Sequence, residues 1–559
     1  MNLYVLGSLF TVSWLICSLG QPSASFYFSV AASLFGYALF WRGLSEIACW
    51  KKQGCIAFLW FFLLSSFQLS WMLSFTYQGV YIAFLHQFLS AAVALQFAAL
   101  CFALIRSTSK RQVVYSAALW TLFEWSRLYW LCGSTWNPAG LSLTASKYTI
   151  SLATVGGIYF LSFWVIMTNG LFFFAYKKKQ AHAVYAAVFC AFLPYAVGFI
   201  HQARHSQSIA SSPKLSAALI QTAIKPEEKE PILKKGAFID PLLQWERIWR
   251  FLQKAPKDVD IIVLPEVALP FGAFGAIYYE EAVKDAWQVY FGKEALRHMP
   301  PLTYPYATQD IHGYWYVSNG YIAKALANYF QAELILGLEE RMLDATARNS
   351  AFYFAPFQAF PRSYAKCVLV PGAEYIPYSW CEGIARKHGA KGAYVHGKIP
   401  GVVAGAHPLG LSICYEETYG DLIRKTRKRG AQLLVNLSND GWFPGTALPR
   451  QHFDLARVRS VENGAPLVRA TNTGITAAVD SLGQVVAAFT PAFAENPQAA
   501  GALFVDVPVY TYGTWYTQWG DGLIVSISLG LIFLCMLEKW RKEQKASQGK
   551  ALAQKIPVR

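Results

Sequence analysis

The sequence predicts two joined architectures: a multispan α-helical membrane domain and a soluble domain of layered helices and strands. Three observations carry that expectation. The chain's 559 residues are too many for one compact domain. It is 54% hydrophobic and 16% aromatic, with a mean hydropathy of +0.28, yet the long apolar runs sit only in residues 1–200 and 520–538. Between them, residues 214–508 alternate strand-like and helical stretches, the pattern of a layered α/β domain.

The membrane part comes first in the chain. A span needs ~20 apolar residues, and eight segments are read as spans, near 3–19, 24–41, 55–72, 81–105, 113–132, 150–175, 183–200 and 519–537. The stretch S-L-G-Q-P-S-A-S could pass for a cleavage site, but no Lys or Arg precedes it and further spans follow at once, so the first helix is expected to be retained. Charge gives the topology. One set of connections carries Arg42, Lys51 and Lys52, then Arg106, Lys110 and Arg111, then Lys177, Lys178 and Lys179. The tail after residue 537 adds Lys539, Arg541, Lys542 and Lys545. The alternate connections near 20–23 and 73–80 have no Lys or Arg, and that near 133–149 has only Lys147. Positive residues stay in the cytoplasm, which places both termini there and residues 201–518 on the far side. The expected organisation is a seven-helix transmembrane domain (1–200), an extracytoplasmic domain (201–518), one transmembrane helix (519–537) and a basic cytoplasmic tail (538–559).

The net charge of +16 fits this topology and attraction to anionic lipid. Nucleic-acid binding is excluded by the lack of a basic helix or zinc spacing. No metal-ligand spacing is visible either, so no metal and no cofactor are expected. Glu124 and Arg127 lie inside the fifth predicted span, on one helix face. Ionisable groups at that depth are costly. They are read either as a mutually satisfied pair that locks packing or as a polar spot that orients a lipid head group.

In the soluble part, strands are expected at 214–222, 260–266, 333–339, 350–356, 409–416, 432–439, 466–472 and 475–480, with a helix at 452–464 capped by Gly464. Ten cysteines are present, and seven lie in or beside apolar membrane segments, where Cys behaves as a small hydrophobe. Only Cys367, Cys381 and Cys414 fall in the soluble part, an odd count that leaves room for a free thiol. Cys414 follows the strand-like run L-S-I and opens C-Y-E-E. Glu266 ends I-I-V-L-P-E, and Lys366 lies in S-Y-A-K-C-V-L-V-P. A carboxylate base, a cation and a thiol, each on or beside a strand, make a candidate nucleophilic site.

The order Glu266, Lys366, Cys414 with these neighbours resembles the nitrilase, or carbon–nitrogen hydrolase, superfamily. Within it the chain resembles the bacterial apolipoprotein N-acyltransferase family, through C-Y-E, N-L-S-N-D-G-W-F, R-Q-H-F-D-L-A-R-V-R-S-V-E-N and R-A-T-N-T-G-I-T between Cys414 and Asp480, and W-N-P-A-G-L-S-L after Arg127. The resemblance implies an α-β-β-α sandwich for the soluble domain. It implies that Cys414 is the nucleophile, Glu266 the base and Lys366 the cation that favours thiolate and oxyanion, with the backbone N–H of Tyr415 as a second oxyanion donor. Glu374 and Glu416 match two further acidic positions, expected to position Lys366 and Cys414 or to brace loops. Trp442 is expected to wall the pocket, and His452 to be a packing residue rather than a base. The implied reaction moves an acyl chain from a phospholipid, through a Cys thioester, to the α-amine of a diacylglyceryl-cysteine at an apolipoprotein N-terminus, in the bacterial inner membrane with the catalytic domain on the periplasmic side. A membrane-anchored amidase or nitrilase using water is the competing enzyme reading, and a non-enzymatic binding module the other. Two departures are visible: Gly372 and Ala373 stand where the family often has Phe-Gly, and the aromatic stretch 271–332 is long. Part of that stretch is expected either to form a mobile lid at the bilayer surface or to be an ordinary packed insertion.

Overall fold

The computed structural model describes residues 2–553, except 78, 108, 131, 230–235, 343, 345, 388–391, 393 and 490–498. The chain divides into two compact units: residues 1–69, 85–198 and 519–559 form one, and residues 70–84 and 199–518 the other.

The first unit is helical. Five of the described helices are long and apolar enough to cross a membrane: Leu3–Gly20, Tyr81–Ile105, Thr149–Lys178, Ala181–Ala210, whose end continues into the second unit, and Asp521–Ser547. The other three expected spans are helical but less regular or shorter. The segment near 24–41 is built from Phe26–Ala31, a π-helical turn Ala32–Gly36, and Tyr37–Ser45. A π turn leaves backbone groups without their usual partners. Buried Asn169 takes them up: its Nδ2 donates to the carbonyls of Ala32 and Ser33, and its Oδ1 accepts from Tyr37 N–H. The remaining two are Trp50–Gln68 and Lys110–Ser126, the latter of 17 residues. Helix Asp521–Ala553 carries on through the start of the basic tail. Trp120 lies at the centre of the packing, 4.4 Å from the Phe97 ring and 5.8 Å from the Phe61 ring.

The second unit is an α-β-β-α sandwich. Its strands begin with β1 (Lys214–Gln221), β2 (Ile261–Val263), β3 (Tyr278–Tyr279), β4 (Ala307–Gln309), β5 (Trp315–Val317), β6 (Glu333–Arg341), β7 (Ala347–Phe354) and β8 (Arg362–Ala365). They continue with β9 (Gly401–Val403), β10 (Leu409–Ile413), β11 (Leu433–Ser438), β12 (Leu467–Thr471), β13 (Ala477–Val479), β14 (Val485–Ala488) and β15 (Gly501–Pro508). One six-stranded sheet runs β15-β1-β2-β6-β7-β8, the other β14-β13-β12-β11-β10-β9. Both are parallel at the centre (β1, β2, β6 and β10, β11, β12) and antiparallel at the edges.

Side-chain alternation explains the layers, because successive residues of a strand face opposite sides. Leu219, Val263 and Ile335 of one sheet meet Leu411, Val435 and Val468 of the other in a shared core. The residues between them in sequence, such as Ile220, Ile262 and Leu334, face outward onto helices Pro241–Leu252 and Asn319–Phe330. On the opposite outer face, Leu434 and Leu467 pack against helix Leu448–Asn463. That helix ends at Gly464 with φ +52°, the left-handed C-cap expected from the sequence.

The expected strands all form, with two informative differences. β2 stops at Val263 and β10 at Ile413, so Glu266 and Cys414 stand beyond the strand ends rather than within them. The aromatic stretch is a folded insertion containing the small β3-β5-β4 sheet. Tyr278, Trp287 and Tyr306 are core side chains, so these aromatics do not form a lid; Tyr304 and Tyr314 remain exposed.

Gly337 on β6 has no room for a side chain. A Cβ there would lie 2.6 Å from Pro265 O, 2.7 Å from Glu266 Cα and 2.8 Å from Val267 N, all main-chain atoms. Gly337→Ala should therefore cost about 1–3 kcal/mol by overpacking, read as a lower thermal midpoint of the purified protein. Because the atoms displaced carry Glu266, turnover should fall by more than the loss of folded protein explains.

Candidate active site

Three strand ends converge in the second unit. Glu266 lies three residues past β2, Lys366 directly follows β8, and Cys414 directly follows β10. The Lys366 backbone is fixed on both sides: its N–H donates to Asn349 O at 2.8 Å, and its carbonyl accepts from Gly397 N–H at 2.7 Å. Its ammonium is buried between two carboxylates, at 2.9 Å from Glu266 Oε1 and 2.9 Å from Glu374 Oε1. Asn349 Nδ2 donates to the same two oxygens, at 2.7 and 3.0 Å. Burial works against the charge of Lys366, but Glu266, Glu374 and Cys414 outweigh it and hold the ammonium well above the ordinary lysine range. Lys366 is thus a fixed cation.

Cys414 has φ +51°, a left-handed conformation that is uncommon for a side-chain-bearing residue. The strand ends at Ile413 and a 3₁₀ turn, Cys414–Thr418, begins at once. Such a sharp strand-to-helix turn projects the nucleophile away from the sheet. Burial is the main influence on the thiol and raises its pKa. Glu266 adds to that rise, Lys366 opposes it, and Asp440 raises it further, while a hydrogen bond with Ser438 lowers it. The net direction is upward, so the resting sulfur is a protonated thiol that needs a base to react.

Glu416 is fully buried and does not touch Lys366 or Cys414 through its carboxylate. Its Oε1 accepts from the N–H groups of Cys367 (2.5 Å) and Val368 (3.0 Å), its Oε2 accepts from Ile413 N–H (2.8 Å), and Tyr364 OH donates to both oxygens at 2.9 Å. It clamps the turn after Lys366 to the end of β10, so it sets where Lys366 and Cys414 stand. Burial pushes its carboxyl up to about 7, against the pull of those N–H groups and Lys366.

A second charged cluster lies beneath Cys414. His452 approaches Asp440 Oδ1 with Nδ1 and Glu417 Oε1 with Nε2, both at 3.0 Å. Arg469 Nε donates to Glu417 Oε1 at 2.8 Å. Burial disfavours the imidazolium, yet Glu417 and Asp440 hold His452 up to about 9.

Among the expected site residues, the structure brings Glu266, Lys366 and Glu374 into direct contact, with Glu416 as the clamp. Tyr415 is buried in the turn after Cys414, its hydroxyl accepting from Tyr419 OH at 3.0 Å. Trp442 stacks edge-on against Tyr77, whose hydroxyl donates to Glu227 at 2.6 Å. Glu124 and Arg127 belong to the first unit and are no mutual ion pair. Glu124 Oε1 accepts from Trp120 Nε1 and Ala139 N–H, both at 2.9 Å, and Arg127 Nη1 donates to Trp136 O at 3.2 Å. Both hold the W-N-P-A turn against their own helix. The half-buried Cys367 thiol points at the carbonyls of Ala365 and Ile399; the Cys381 side chain lies outside the described residues. Cys367 and Cys414 are free thiols. No group of metal-ligating side chains is found among the described residues. Sequence reading missed Asn349, Glu417, Asp440 and Arg469, because nothing in a strand-like or loop context marks which polar residues face one another across sheets.

A thiol, a carboxylate and a buried ammonium at the strand ends of an α-β-β-α sandwich place the second unit in the carbon–nitrogen hydrolase class. The family model "Carbon-nitrogen hydrolase" matches residues 216–515, and the model "Apolipoprotein N-acyltransferase N-terminal domain" matches residues 8–171. An apolipoprotein N-acyltransferase of Chlamydia caviae is 31% identical over 542 residues, covering 93% of this chain and 95% of that protein. One of Chlamydia trachomatis is 30% identical over 560 residues, covering 97% and 99%. Among solved structures, the chain is similar to Nit3 of Saccharomyces cerevisiae, at 16% identity and a TM-score of 0.35, covering 53% of this chain and 90% of that one. The chain belongs to the apolipoprotein N-acyltransferase family. It is a membrane protein and an enzyme of the acyltransferase class.

The raised thiol gives a test. Only thiolate alkylates, so the rate of Cys414 with iodoacetamide should climb about tenfold per pH unit from about pH 7 to about pH 9 without levelling. A plateau in that range would mean that Glu266 and Lys366 already hold a thiolate at rest. The rate is read from the mass of the proteolytic peptide that carries Cys414, so that the exposed Cys49 and Cys55 do not enter it.

Proposed function

We propose that this enzyme moves an acyl chain from a phospholipid to the α-amine of the N-terminal diacylglyceryl-cysteine of apolipoproteins, by way of a thioester on Cys414. The observation that carries the reading is the Lys366 ammonium held by Glu266 and Glu374 at the strand ends beside a left-handed Cys414, in a chain of this family.

In the first half-reaction Cys414 Sγ attacks the ester carbonyl carbon. The S–C bond forms, the carbonyl pair moves onto oxygen, and Glu266 takes the thiol proton. Lys366 and the backbone N–H of Tyr415 face the oxyanion, a kind of contact whose loss costs about 3 kcal/mol of transition-state stabilisation. Collapse breaks the C–O bond, and Glu266 returns the proton to the departing oxygen, giving lysophospholipid and thioester. In the second half-reaction the α-amine attacks the thioester. The N–C bond forms, Glu266 takes the amine proton, and the C–S bond breaks as sulfur regains a proton. Glu374 keeps Lys366 in place while Glu266 cycles between its two states.

The domain that carries Cys414 is read as periplasmic, at the inner membrane. Support comes from the alternation of basic and neutral connections. Residues 70–84, a connection without Lys or Arg, fold with the catalytic unit.

Incubation with phospholipid should add one acyl group to the intact protein. Cys414→Ala should abolish that adduct and Cys367→Ala should leave it; an adduct of normal yield on Cys414→Ala would sink the assignment. A single Cys introduced on the surface of residues 199–518 should react with a membrane-impermeant thiol reagent in intact spheroplasts. Labelling only after lysis would overturn the topology.

A further inference from the structure

His452 has no part in the proton transfers above, although it is buried and surrounded by charge. Its Nε2 lies 3.3 Å from the carbonyl oxygen of Cys414. A carbonyl oxygen cannot donate, so the single Nε2 proton is shared between this oxygen and the nearer Glu417 Oε1 at 3.0 Å. Asn436 Nδ2 approaches the same oxygen at 3.4 Å and also donates to Ser412 Oγ at 3.0 Å. Both side chains are almost wholly buried, at 2% and 0% exposure.

The carbonyl of Cys414 and the N–H of Tyr415 belong to one peptide group. That group is planar and trans, so its C=O and N–H point in opposite directions. Whatever grips the oxygen on one side aims the hydrogen on the other. The N–H of the residue after the nucleophile is the usual oxyanion donor of such an elbow. We propose that His452, assisted by Asn436, is a positioning residue that builds the oxyanion hole by holding the Cys414 carbonyl and so orienting the Tyr415 N–H. The inference rests on the acyl-transfer reading of Cys414.

The surroundings explain how the imidazole keeps its aim. Arg469 Nη2 and Asp440 Oδ1 both approach Nδ1, at 2.9 and 3.0 Å, and Glu417 Oε1 lies 3.0 Å from Nε2. Arg469 ties this frame to the sheet: Nε donates to Glu417, Nη1 to Ile475 O at 3.0 Å, and Nη2 to Ser438 Oγ at 3.2 Å. Nucleophile turn, β11, β12 and helix Leu448–Asn463 all meet at one ring. The same frame restrains Cys414 at its φ of +51°, a conformation that persists only where the surroundings over-determine it.

The test separates building an oxyanion from merely exposing a thiol. Attack on an ester creates an oxyanion; alkylation by iodoacetamide does not. Full-length protein in detergent is compared as wild type, His452→Leu, His452→Gln and Asn436→Ala. Acylation is followed with phospholipid and with a soluble p-nitrophenyl acyl ester, alkylation by the mass of the proteolytic peptide that carries Cys414, and folding by thermal melt. His452→Leu should slow acylation by about 10- to 100-fold while alkylation of Cys414 stays within about threefold of wild type. His452→Gln, which keeps an N–H donor, should recover most of the acylation rate. Acylation by His452→Leu within about threefold of wild type, parallel loss of acylation and alkylation, or a Gln variant as slow as Leu would each overturn the proposal. If His452→Leu does not fold, Asn436→Ala takes its place: slowed acylation with alkylation kept supports the proposal, and unchanged acylation or parallel loss of both overturns it. Wild-type protein inert to phospholipid but acylated by the nitrophenyl ester would refute the phospholipid reading and leave this test intact.

Discussion

The burial of the Lys366 ammonium is the constraint around which the catalytic unit is arranged. A buried cation is tolerable only when opposite charges and hydrogen bonds meet it with good geometry. Here Glu266 and Glu374 each approach at 2.9 Å, and Asn349 donates to both carboxylates. Satisfying Lys366 therefore fixes three other side chains, drawn from the loop after β2, from β7 and from the loop after β8. The arrangement also divides labour between two similar acids. Glu374 Oε2 accepts from Val370 N–H at 2.7 Å, which ties it to its own loop. Glu266 stands at the open end of β2, in the field that reaches the Cys414 thiol. In the proposed cycle, Glu374 would still balance Lys366 while Glu266 carries a proton.

The two sheets must hold register for this to work, and Glu416 is where they are joined at the site. Lys366 belongs to the sheet ending in β8, and Cys414 to the sheet containing β10. Hydrophobic packing between sheets is non-directional. The clamp of Glu416 on Cys367, Val368 and Ile413 N–H groups supplies the direction that packing lacks. Carboxylate-to-backbone hydrogen bonds of this kind are shorter and stronger than neutral ones. Glu416 is thus essential to geometry without touching the reacting atoms.

Much of this was legible in the residues. The strand cores at 214–222, 333–339 and 432–439 show as apolar runs because both faces of each central strand are buried. Cys414 and Glu266 could be singled out because they stand at the ends of such runs, and Lys366 because it lies beside a strand-like segment in the order Glu266, Lys366, Cys414. What stayed hidden were partners fixed by the sheet order. Asn349 and Glu374 are 25 residues apart in sequence and share one hydrogen bond. Arg469 and Glu417, 52 apart, share another. An antiparallel strand pair brings the first together and parallel strands of the other sheet the second, and single-sequence periodicity carries no trace of which strand neighbours which. Glu124 and Arg127 show the opposite error: helical spacing put them on one face, but each found a better partner in the turn that follows their helix. The aromatic stretch left two readings open for a related reason, since Trp and Tyr suit both a bilayer surface and a protein core; the burial of Tyr278, Trp287 and Tyr306 decides for the packed insertion at those side chains.

Burial of the Cys414 thiol has consequences at both ends of the proposed cycle. In that cycle the raised thiol pKa makes attack depend on Glu266. The same shift makes the sulfur a poorer leaving group, because departure follows the stability of the thiolate released. A thioester on such a sulfur is released slowly to any acceptor, so transfer needs a base aligned to remove the amine proton and to return a proton to sulfur. A hydrolase gains nothing from that delay. An acyltransferase with two lipid substrates needs it, because the first product must leave before the second substrate enters.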